Sequence, residues 1–500
     1  MQRVFNILGL GLASIVLAIS LQSVNAQVAD TRLPPDVAKA LAQAKVPLSA
    51  ASFEVRKIDG KVDSHSPSLL SHRANVPMNP ASVMKLVTTF SALDMLGPDF
   101  TWQTSFYTHG KLSNGVLQGD LIIKGGGDPK WVLEYMQEHF KTLQLLGVRH
   151  ITGDILLDNS IFELAPKDEA EFDGDGQRSY NSTPDGLLVN FKSMLLSFTP
   201  DEANQRVWVK SDIPLAGVTV DESVPLYAGG CGDWRSRLRA DFSNPNRISF
   251  AGSYSASCGE RIWPVAYIDP ASYAARAVKA LYNAAGGRLD GQVRKGNLPA
   301  NSVLLYHAPS LPLSQIIADV NKFSNNVMAQ QVFLSLSAQK SNDNLSSKIT
   351  SALRGSFEKS RDVVKHWWQR HFGKNKGAAS EPLLDNGSGL SRIERITAQS
   401  LTELLHTAAK HQHAAVFANS LSVAGVDGTA ANMTKRGVAN ASLGNAQLKT
   451  GTLRDVASIA GYATAQSGQR YSVVGIINHP NAPSARAALD ALVEWTVVNH

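Results

Sequence analysis

A serine and a lysine three positions apart, Ser82 and Lys85, stand in the stretch NPASVMKL (79–86), whose pattern is typical of the start of a helix. Residues i and i+3 lie on the same face of a helix, so the serine hydroxyl and the lysine ammonium can come within hydrogen-bonding distance. A lysine becomes a useful base only when burial or a second cation lowers its pKa, and the apolar residues beside Lys85 predict such burial. The pair therefore fits a nucleophile with its own base, although this spacing is frequent in any chain of this length.

A second candidate group, Ser324 and Asn326, lies in KFSNNVMAQQ within a pattern that is otherwise helical. The hydroxyl can relay a proton, and the amide can hold a substrate carbonyl or tether a lysine. The alternative is a helix N-cap with polar neighbours, because serine and asparagine are preferred at that position.

A third candidate group, Lys449, Thr450, Gly451 and Thr452, belongs to the stretch LKTGTL in a strand pattern. One lysine and two hydroxyls along a strand can bind a carboxylate, and a glycine between them lets a substrate backbone lie close to the strand. Each of the three groups is weak evidence when taken alone.

The elements that must position these groups alternate between helical and strand patterns. Helices are expected at 34–46, 271–287, 311–337 and 484–498; strands are expected in a hairpin that turns at Asp59 and Gly60, at 102–160, in a second β-rich block that contains both cysteines, and at 441–465 and 469–479. This order favours an α+β fold over an alternating parallel sheet, and the length of 500 residues suggests about three domains.

The composition is that of an ordinary globular protein, with 43% hydrophobic and 18% charged residues. The net charge of +6 is modest for the length, and it fits either a weak attraction to an acidic polymer or a role in solubility alone. Because lysine and arginine form no stripe with interleaved aromatic residues, nucleic acid is not an expected partner.

Residues 1–26 have the layout of a cleavable secretory signal peptide, with Arg3, an apolar run from Ile7 to Leu21, and small residues before Gln27. The alternative is an uncleaved anchor, but the apolar run is short for a membrane span of about 20 residues. No second run of spanning length follows in the sequence, so we expect an exported protein.

The chain has two cysteines, Cys231 and Cys258, and both lie in one β-rich block. In an oxidising compartment they are expected to form one disulfide, with two reduced thiols as the alternative. The histidines lack a zinc-site spacing such as His-Glu-x-x-His, so neither a metal nor another cofactor is expected.

The order Ser-x-x-Lys, Ser-x-Asn, Lys-Thr-Gly is the combination found in penicillin-binding proteins and class A β-lactamases. With the accessory stretches IIKGGGDP and DNGSGLSR, the sequence resembles the class C low-molecular-mass penicillin-binding proteins, which are D-alanyl-D-alanine carboxypeptidases/endopeptidases of peptidase family S13 (penicillin-binding protein 4 type). The resemblance covers essentially the whole chain after residue 26. DNGSGLSR is interpreted as a loop beside the cleft.

The resemblance implies a penicillin-binding, β-lactamase-like transpeptidase domain, an antiparallel sheet flanked by helices, with two β-rich inserted domains. The implied limits are 27–101 and 303–500 for the catalytic domain, 102–185 and 267–302 for inserted domain II, and 186–266 for a nested domain III.

The resemblance also implies the activity: a periplasmic serine D-Ala-D-Ala carboxypeptidase and DD-endopeptidase of cell-wall remodelling. Its substrates would be peptidoglycan pentapeptides and crosslinked muropeptides, and β-lactams would acylate it. The implied catalytic residues are Ser82, Lys85, Ser324, Asn326 and Lys449, and the implied substrate-binding residues are Thr450, Gly451, Thr452 and an aspartate of the insert. Asp175 is the better match for that aspartate, and Asp173 is the alternative.

Several questions stay open at this point. A homodimer or a peripheral membrane association is compatible with the resemblance. Two other functions are a β-lactamase and a noncatalytic peptidoglycan-binding scaffold. The long gap between Lys85 and Ser324 and the lack of an evident deacylating glutamate motif argue against the β-lactamase, and the intact catalytic residues argue against the scaffold.

Overall fold

The computed structural model describes residues 33–58, 68–338, 354–373, 380–436 and 440–499. The predicted signal peptide, 1–26, and the predicted turn at Asp59 and Gly60 lie outside these ranges. No helix within them combines the length and the hydropathy that a bilayer crossing requires.

Helices and strands alternate in blocks along the chain. The α-helices within the described residues are α1 (Pro35–Gln43), α2 (Lys85–Leu96), α3 (Leu133–Leu145), α4 (Trp234–Leu238), α5 (Pro270–Ala284), α6 (Leu313–Phe323), α7 (Asn326–Ala338), α8 (Phe357–Phe372), α9 (Ala398–Lys410), α10 (Ala414–Asn419) and α11 (Arg486–Val498). The strands in the same ranges are β1 (Ala51–Lys57), β2 (Ser68–His72), β3 (Gln103–Ser113), β4 (Val116–Lys124), β5 (His150–Ile151), β6 (Ile155–Asp158), β7 (Ser193–Asp201), β8 (Arg206–Ser211), β9 (Thr219–Val220), β10 (Ser223–Tyr227), β11 (Ala240–Asn244), β12 (Arg247–Phe250), β13 (Tyr254–Ser255), β14 (Arg261–Ala266), β15 (Arg288–Leu289), β16 (Val293–Lys295), β17 (Val303–Pro309), β18 (Ser422–Val423), β19 (Ala446–Leu453), β20 (Val456–Thr464) and β21 (Arg470–Asn478). The predicted α+β order is confirmed.

Six strands from the two ends of the chain form one antiparallel sheet, which we name the terminal sheet. Its strand order is β18-β19-β20-β21-β1-β2. The pairing of β1 with β21 sets Ala51 opposite Ile477, so the first described strand lies against the last. Closing this sheet therefore requires both ends of the chain.

The terminal sheet is buried on both faces, and strand β20 shows why its sequence is almost wholly apolar. Successive side chains of a strand point to opposite faces. Ala457 and Ile459 pack in a core with α1 and α11, whereas Ala460 and Tyr462 pack in a second core formed by the remaining helices of the same domain.

Helix α2 lies inside this second core, where Lys85 to Leu93 are all buried. A helix that is covered on every side lacks the polar stripe of a surface helix. The ring of Phe90 contacts Trp367 of α8 and Phe417 of α10. Because Lys85 belongs to the first turn of this covered helix, its side chain is removed from water.

The single helix predicted at 311–337 is instead two helices, and the prediction was wrong at this point. Helix α6 ends at Phe323, α7 begins at Asn326, and Ser324 between them adopts a left-handed conformation with φ 59°. Apolar spacing continues across the break because both helices pack into the same core. Hydrophobic periodicity alone therefore could not reveal it.

The middle of the chain forms the β-rich inserts. Strands β15-β5-β4-β3-β17, with β6 and β16 beside β4, make a seven-stranded sheet, and a nested unit contains the sheets β13-β10-β8-β7-β14 and β11-β12-β9. A continuous apolar core links these sheets with α3 and α5. Strand β17 pairs with β3, so residues 303–309 lie in the sheet of the insert, which corrects the predicted catalytic segment 303–500 at its start. The other domain limits stay a prediction.

Cys231 and Cys258 form a disulfide in the nested unit. They are separated by 27 positions in the chain, and Cys258 lies in the apolar core of the insert. The crosslink therefore stabilises the nested unit, because it restricts the unfolded state of that segment.

Candidate active site

The turn that carries Ser82 is held by its neighbours in an unusual backbone conformation. Ala81 has φ 47°, a left-handed value that costs an alanine roughly 1–2 kcal/mol. The Ala81 N–H donates to Asn79 Oδ1 at 2.9 Å, and the side chain of Asn478 forms two hydrogen bonds with the backbone of Asn79, at 2.8 and 2.9 Å. Contacts with strand β21 thus fix the position of the serine, which lies just before α2.

Lys85 lies one turn after Ser82, and its side chain is fully buried. Its Nζ donates to Ser82 Oγ at 2.9 Å, to Asn326 Oδ1 at 2.7 Å and to the Ser388 carbonyl at 2.5 Å. Three acceptors engage all three protons of an ammonium group, and none of these acceptors is a carboxylate.

The pKa of Lys85 lies well below its usual value. Burial is the main cause because it disfavours the charged form, and the positive charge of Lys449 acts in the same direction. The negative charge of Glu394 acts in the opposite direction. The site therefore favours the neutral amine, which is the form that can accept a proton.

The junction between α6 and α7 brings Ser324 and Asn326 to the same site. Asn325 caps α7, since its Oδ1 accepts the Met328 N–H at 3.1 Å. The capping role therefore falls on the residue between the two candidates. Ser324 Oγ accepts a hydrogen bond from Lys449 Nζ at 2.9 Å, and the Asn326 amide oxygen accepts from the first lysine as described above.

Lys449 is fully buried on β19, and its Nζ also donates to the Thr450 carbonyl at 2.8 Å. Burial lowers the pKa of Lys449 to about 7. The two threonines that follow are more exposed: Thr450 Oγ1 donates to Thr429 Oγ1 at 2.7 Å, and Thr452 lies at the surface. The strand thus presents a buried cation next to accessible hydroxyls.

Gly451 has a different contact from the one expected. A Cβ at this position would lie 2.3 Å from Ser458 Oγ, 2.6 Å from the Pro80 carbonyl and 3.0 Å from the Ser82 nitrogen. The glycine therefore lets β19 approach the turn of this chain that carries the serine, whereas the sequence had suggested the approach of a substrate backbone.

The loop 385–392 was expected beside the cleft, and it supplies the carbonyl of Ser388 to Lys85. Glu394 holds this loop: its Oε1 accepts the N–H groups of residues 385, 386 and 387 at 3.1, 3.2 and 2.9 Å. Glu394 was not predicted from the sequence, because a single carboxylate after DNGSGLSR carries no spacing signal.

Glu394 is completely buried, and burial raises its pKa to about 7 although the three N–H donors lower it. Its second oxygen, Oε2, has no hydrogen-bond partner among the described residues. An ionised Glu394 and the Lys85 ammonium stabilise each other through space, so the protonation of the two groups is coupled.

The insert reaches the site through the loop 172–181. Asn326 Nδ2 donates to the Tyr180 carbonyl at 3.1 Å, so the amide that accepts from Lys85 is oriented by the insert. Phe172 of the same loop packs against the apolar cluster that contains Ala81.

The two candidate aspartates bind residues of their own loop. Asp175 Oδ2 accepts from Arg178 Nε at 2.8 Å, and Asp173 Oδ2 accepts from the Tyr180 hydroxyl at 2.6 Å. Among the hydrogen bonds of the described residues, neither carboxylate is joined to Ser82, and the choice between them stays a prediction.

Two arginines that were not predicted also border the site. The Arg392 guanidinium lies over the ring of Phe172 at 4.4 Å, and Arg486 at the start of α11 donates to Thr452 Oγ1 at 3.2 Å. Arg392 is the last residue of the stretch DNGSGLSR, whereas Arg486 belongs to no motif, so only its position in the fold identifies it.

Comparisons with known proteins agree with this architecture. The fold is shared with the crystal structure of penicillin binding protein 4 (dacB) from Haemophilus influenzae, with a TM-score of 0.68 and 22% identity over 92% of this chain and 98% of that one. The model of the D-Ala-D-Ala carboxypeptidase 3 (S13) family matches residues 33–498, and the chain belongs to this family.

Two curated relatives cover most of the chain. The D-alanyl-D-alanine carboxypeptidase DacB of Haemophilus influenzae is 25% identical over 407 residues, which is 80% of each chain. The D-alanyl-D-alanine carboxypeptidase of Actinomadura sp. (strain R39) is 26% identical over 438 residues, 85% of this chain and 78% of the relative.

The close packing at Gly451 predicts the effect of Gly451→Ala. The added methyl group must push β19 away from the Ser82 turn, and a displacement of about 1 Å at a reacting group can cost about 100-fold in rate. We expect slower acylation by a fluorescent penicillin and a lower melting temperature, because overpacking a buried contact typically costs about 1–3 kcal/mol. Gly230→Ala is the control, because a Cβ at Gly230 would meet no atom within 4 Å. Equal acylation rates for the two variants would contradict the prediction.

The raised pKa of Glu394 predicts a pH-dependent difference in stability for Glu394→Gln. The unfolded carboxyl releases its proton near pH 4.3, but the folded one does so near pH 7. Between these two pH values the native state binds more protons at Glu394 than the unfolded state does. The free energy of unfolding of the wild type therefore falls as pH rises, by up to about 1.4 kcal/mol per pH unit.

The glutamine variant lacks this loss, so its unfolding free energy relative to wild type should increase from pH 5 to pH 7 and then level off. Urea unfolding across this pH range measures the difference. Glu171→Gln, at an exposed position, is the matched control. A difference that is independent of pH for Glu394→Gln would show that the carboxyl titrates normally.

Proposed function

We propose that this protein is a periplasmic serine D-Ala-D-Ala carboxypeptidase and DD-endopeptidase that acts on peptidoglycan through a Ser82 acyl-enzyme. The observation that carries the proposal is the fully buried Lys85, whose Nζ lies 2.9 Å from Ser82 Oγ and contacts no carboxylate through its three hydrogen bonds. Family membership and the curated relatives, which are named as D-alanyl-D-alanine carboxypeptidases, support the substrate class.

The first step is attack by Ser82 on the carbonyl of the penultimate D-alanine. Neutral Lys85 accepts the hydroxyl proton while Oγ bonds to the carbonyl carbon. Asn326 and the Ser388 carbonyl accept the two remaining N–H groups of the amine, which directs its lone pair to the serine. The low pKa of Lys85 makes this proton transfer accessible near neutral pH.

The developing oxyanion needs hydrogen-bond donors that are already in place. We assign this role to the N–H groups of Ser82 and Thr452, each worth about 3 kcal/mol in comparable oxyanion holes. The tight approach of Gly451 to the Ser82 nitrogen supports the assignment, because it holds the strand beside the nucleophile.

Ser324 is suited to relay to the leaving nitrogen the proton that Lys85 took from Ser82. Its hydroxyl accepts from Lys449 Nζ at 2.9 Å, so its own proton is free to be donated to the leaving nitrogen, and the proton held by Lys85 then replaces it. Cleavage of the C–N bond then leaves the acyl group on Ser82, and water hydrolyses this ester to restore the enzyme.

Lys449, Thr450 and Thr452 are assigned to the carboxylate next to the cleaved bond. The pKa of Lys449 is about 7 in the free protein, and a bound carboxylate would raise it by favouring the charged form. Charged Lys449 in turn keeps Lys85 neutral, so substrate binding favours the active protonation state of the base.

Acylation by a fluorescent penicillin tests the nucleophile and the base. We expect labelling of the wild type, none of Ser82→Ala, and a rate for Lys85→Ala that is lower by about 10²–10⁴. Ser314→Ala is the control, since this serine is also partly buried in the first turn of a helix and should label normally. Labelling of Ser82→Ala would reject the assignment.

Digestion of purified muropeptides separates the proposal from its alternatives. We expect loss of terminal D-alanine from pentapeptides and cleavage of crosslinked dimers, both detected by mass spectrometry. Rapid turnover of penicillin without muropeptide cleavage would identify a β-lactamase, and binding without any cleavage would identify a scaffold. Ser82→Ala serves as the inactive control.

A further inference from the structure

A cavity of about 670 Å³ lies between the β-rich inserts and the domain of the terminal sheet. The insert side of its wall consists of residues from the segments 157–171 and 183–192 and from the start of α5, and the other side consists of residues from α7, α8 and the loop 385–392. A cavity of this size lies within the range of about 300–1,000 Å³ that is typical of ligand sites. Neither Ser82 nor the two buried lysines line it, so it is distinct from the active site.

The wall of the cavity contains a buried amide without a partner. Gln330 of α7 is only 7% exposed, and none of the hydrogen bonds among the described residues includes its side chain. The neighbouring Gln331 is the opposite case, since its Oε1 accepts the Asp185 N–H at 3.0 Å and its Nε2 donates to the Asp185 carbonyl at 2.9 Å. A buried amide that stays unpaired is unfavourable. Gln330 thus offers one acceptor and two donors to a molecule in the cavity.

Two ion pairs in the wall are already formed. Lys167 Nζ lies 3.7 Å from Glu171 Oε2, and Lys192 Nζ lies 3.4 Å from Asp185 Oδ2. These four side chains satisfy one another, so they contribute little net charge to the cavity.

Four other charged side chains of the wall belong to no ion pair among the described residues, namely Lys295, Arg361, Glu169 and Asp385. Two of them are positive and two are negative. Since complementary charges favour one partner over another, this wall favours a ligand that carries both signs over a polyanion or a polycation.

Two of these unpaired groups are partly buried and only partly used. Arg361 Nη1 donates to the Asp385 carbonyl at 3.0 Å, which leaves the remaining N–H groups of its planar fork for a carboxylate. Glu169 Oε1 accepts from the Thr183 hydroxyl at 3.0 Å, which leaves its second oxygen for an ammonium group.

Apolar side chains form the rest of the wall, among them Phe162, Leu187 and Val189, which are all buried, and Phe357 at the start of α8. An amide, unpaired charges of both signs and an apolar surface together match the groups of a peptide, which are a backbone amide, charged termini and side chains.

We propose that this cavity is a second binding site, which takes a short peptide that carries both ammonium and carboxylate groups. Gln330 pairs with a backbone amide of the peptide, Arg361 binds a carboxylate and Glu169 binds an ammonium group. Stem peptides of the cell wall and ordinary L-peptides share this chemistry. The site lets the protein hold one peptide while Ser82 acts on another, and this consequence rests on the proposed function.

The test measures peptide binding by isothermal titration calorimetry to full-length protein whose Ser82 is already acylated by penicillin. The probes are the stem tripeptide L-Ala-γ-D-Glu-L-Lys and its α-linked, all-L counterpart Ala-Glu-Lys. We expect one peptide per protein, with affinity about tenfold or more lower for both Gln330→Leu and Arg361→Ala. Tighter binding of the stem tripeptide would assign the site to wall peptides, and equal binding would assign it to peptides in general.

Melting temperatures separate lost binding from a lost fold. Gln330→Leu removes an amide that has no partner, so it should not lower the melting temperature, whereas Gln331→Leu removes hydrogen bonds to the insert and should lower it. Gln369→Leu and Lys365→Ala are the matched controls, because both residues are exposed on α8 outside the cavity wall and should leave binding unchanged.

The proposal is overturned if the acylated wild type binds neither peptide, or if both cavity variants bind as the wild type does. Binding of a trimer of N-acetylglucosamine in place of the peptides would assign the cavity to glycan and would also overturn it. If penicillin does not acylate the wild type, the proposed acyl-enzyme fails instead, and the same titrations of the unacylated protein and its variants still decide whether the cavity binds a peptide.

Discussion

Two lysine side chains are buried in one site where no carboxylate of the described residues contacts either ammonium nitrogen, and much of the architecture follows from this constraint. Removing an amine from water is costly unless its N–H groups find acceptors or the amine loses its charge. Lys85 obtains its acceptors from Ser82, Asn326 and Ser388, which lie far apart in the chain. Lys449 obtains its acceptors from Ser324 and from its own strand. The positive charge of Lys449 also lowers the pKa of Lys85, which couples helix α2 to strand β19.

The supporting elements are arranged to keep these acceptors in place. Helix α2 is covered on all sides and carries Lys85 into the core, while the left-handed junction at Ser324 lets one short segment serve both lysines. Glu394 holds the loop that offers the Ser388 carbonyl, and Gly451 lets strand β19 lie against the serine turn. The unfavourable φ of Ala81 persists because the hydrogen bonds of the surrounding asparagines determine the turn.

The inserted sheets contribute to the site through a small part of their surface. In the loop 172–181 the Tyr180 carbonyl accepts a hydrogen bond from Asn326 Nδ2, and Phe172 lies under the guanidinium of Arg392. The nested unit has its own disulfide, and its apolar core is continuous with that of the seven-stranded sheet. The insert thus presents one loop to the site, whereas the terminal sheet is closed by the pairing of β1 with β21, which both lie outside the insert.

Local sequence signals were sufficient for the α+β order, for the three groups around Ser82, Ser324 and Lys449, and for the cysteine pair, because residue type and periodicity report burial and chemistry over a few turns or strands. They did not reveal the break at Ser324, the pairing of β17 with the insert, the contact made by Gly451, or the contacts of Glu394 and Arg486. Each of these depends on which distant segments meet. A carboxylate is a loop anchor only when three N–H groups converge on it, and Asp490 pairs with Arg436 only because helix α11 meets the segment that ends at residue 436. The sequence alone determined which groups could react, whereas the tertiary structure decided their protonation and partners, because burial and charge are properties of the assembled neighbourhood.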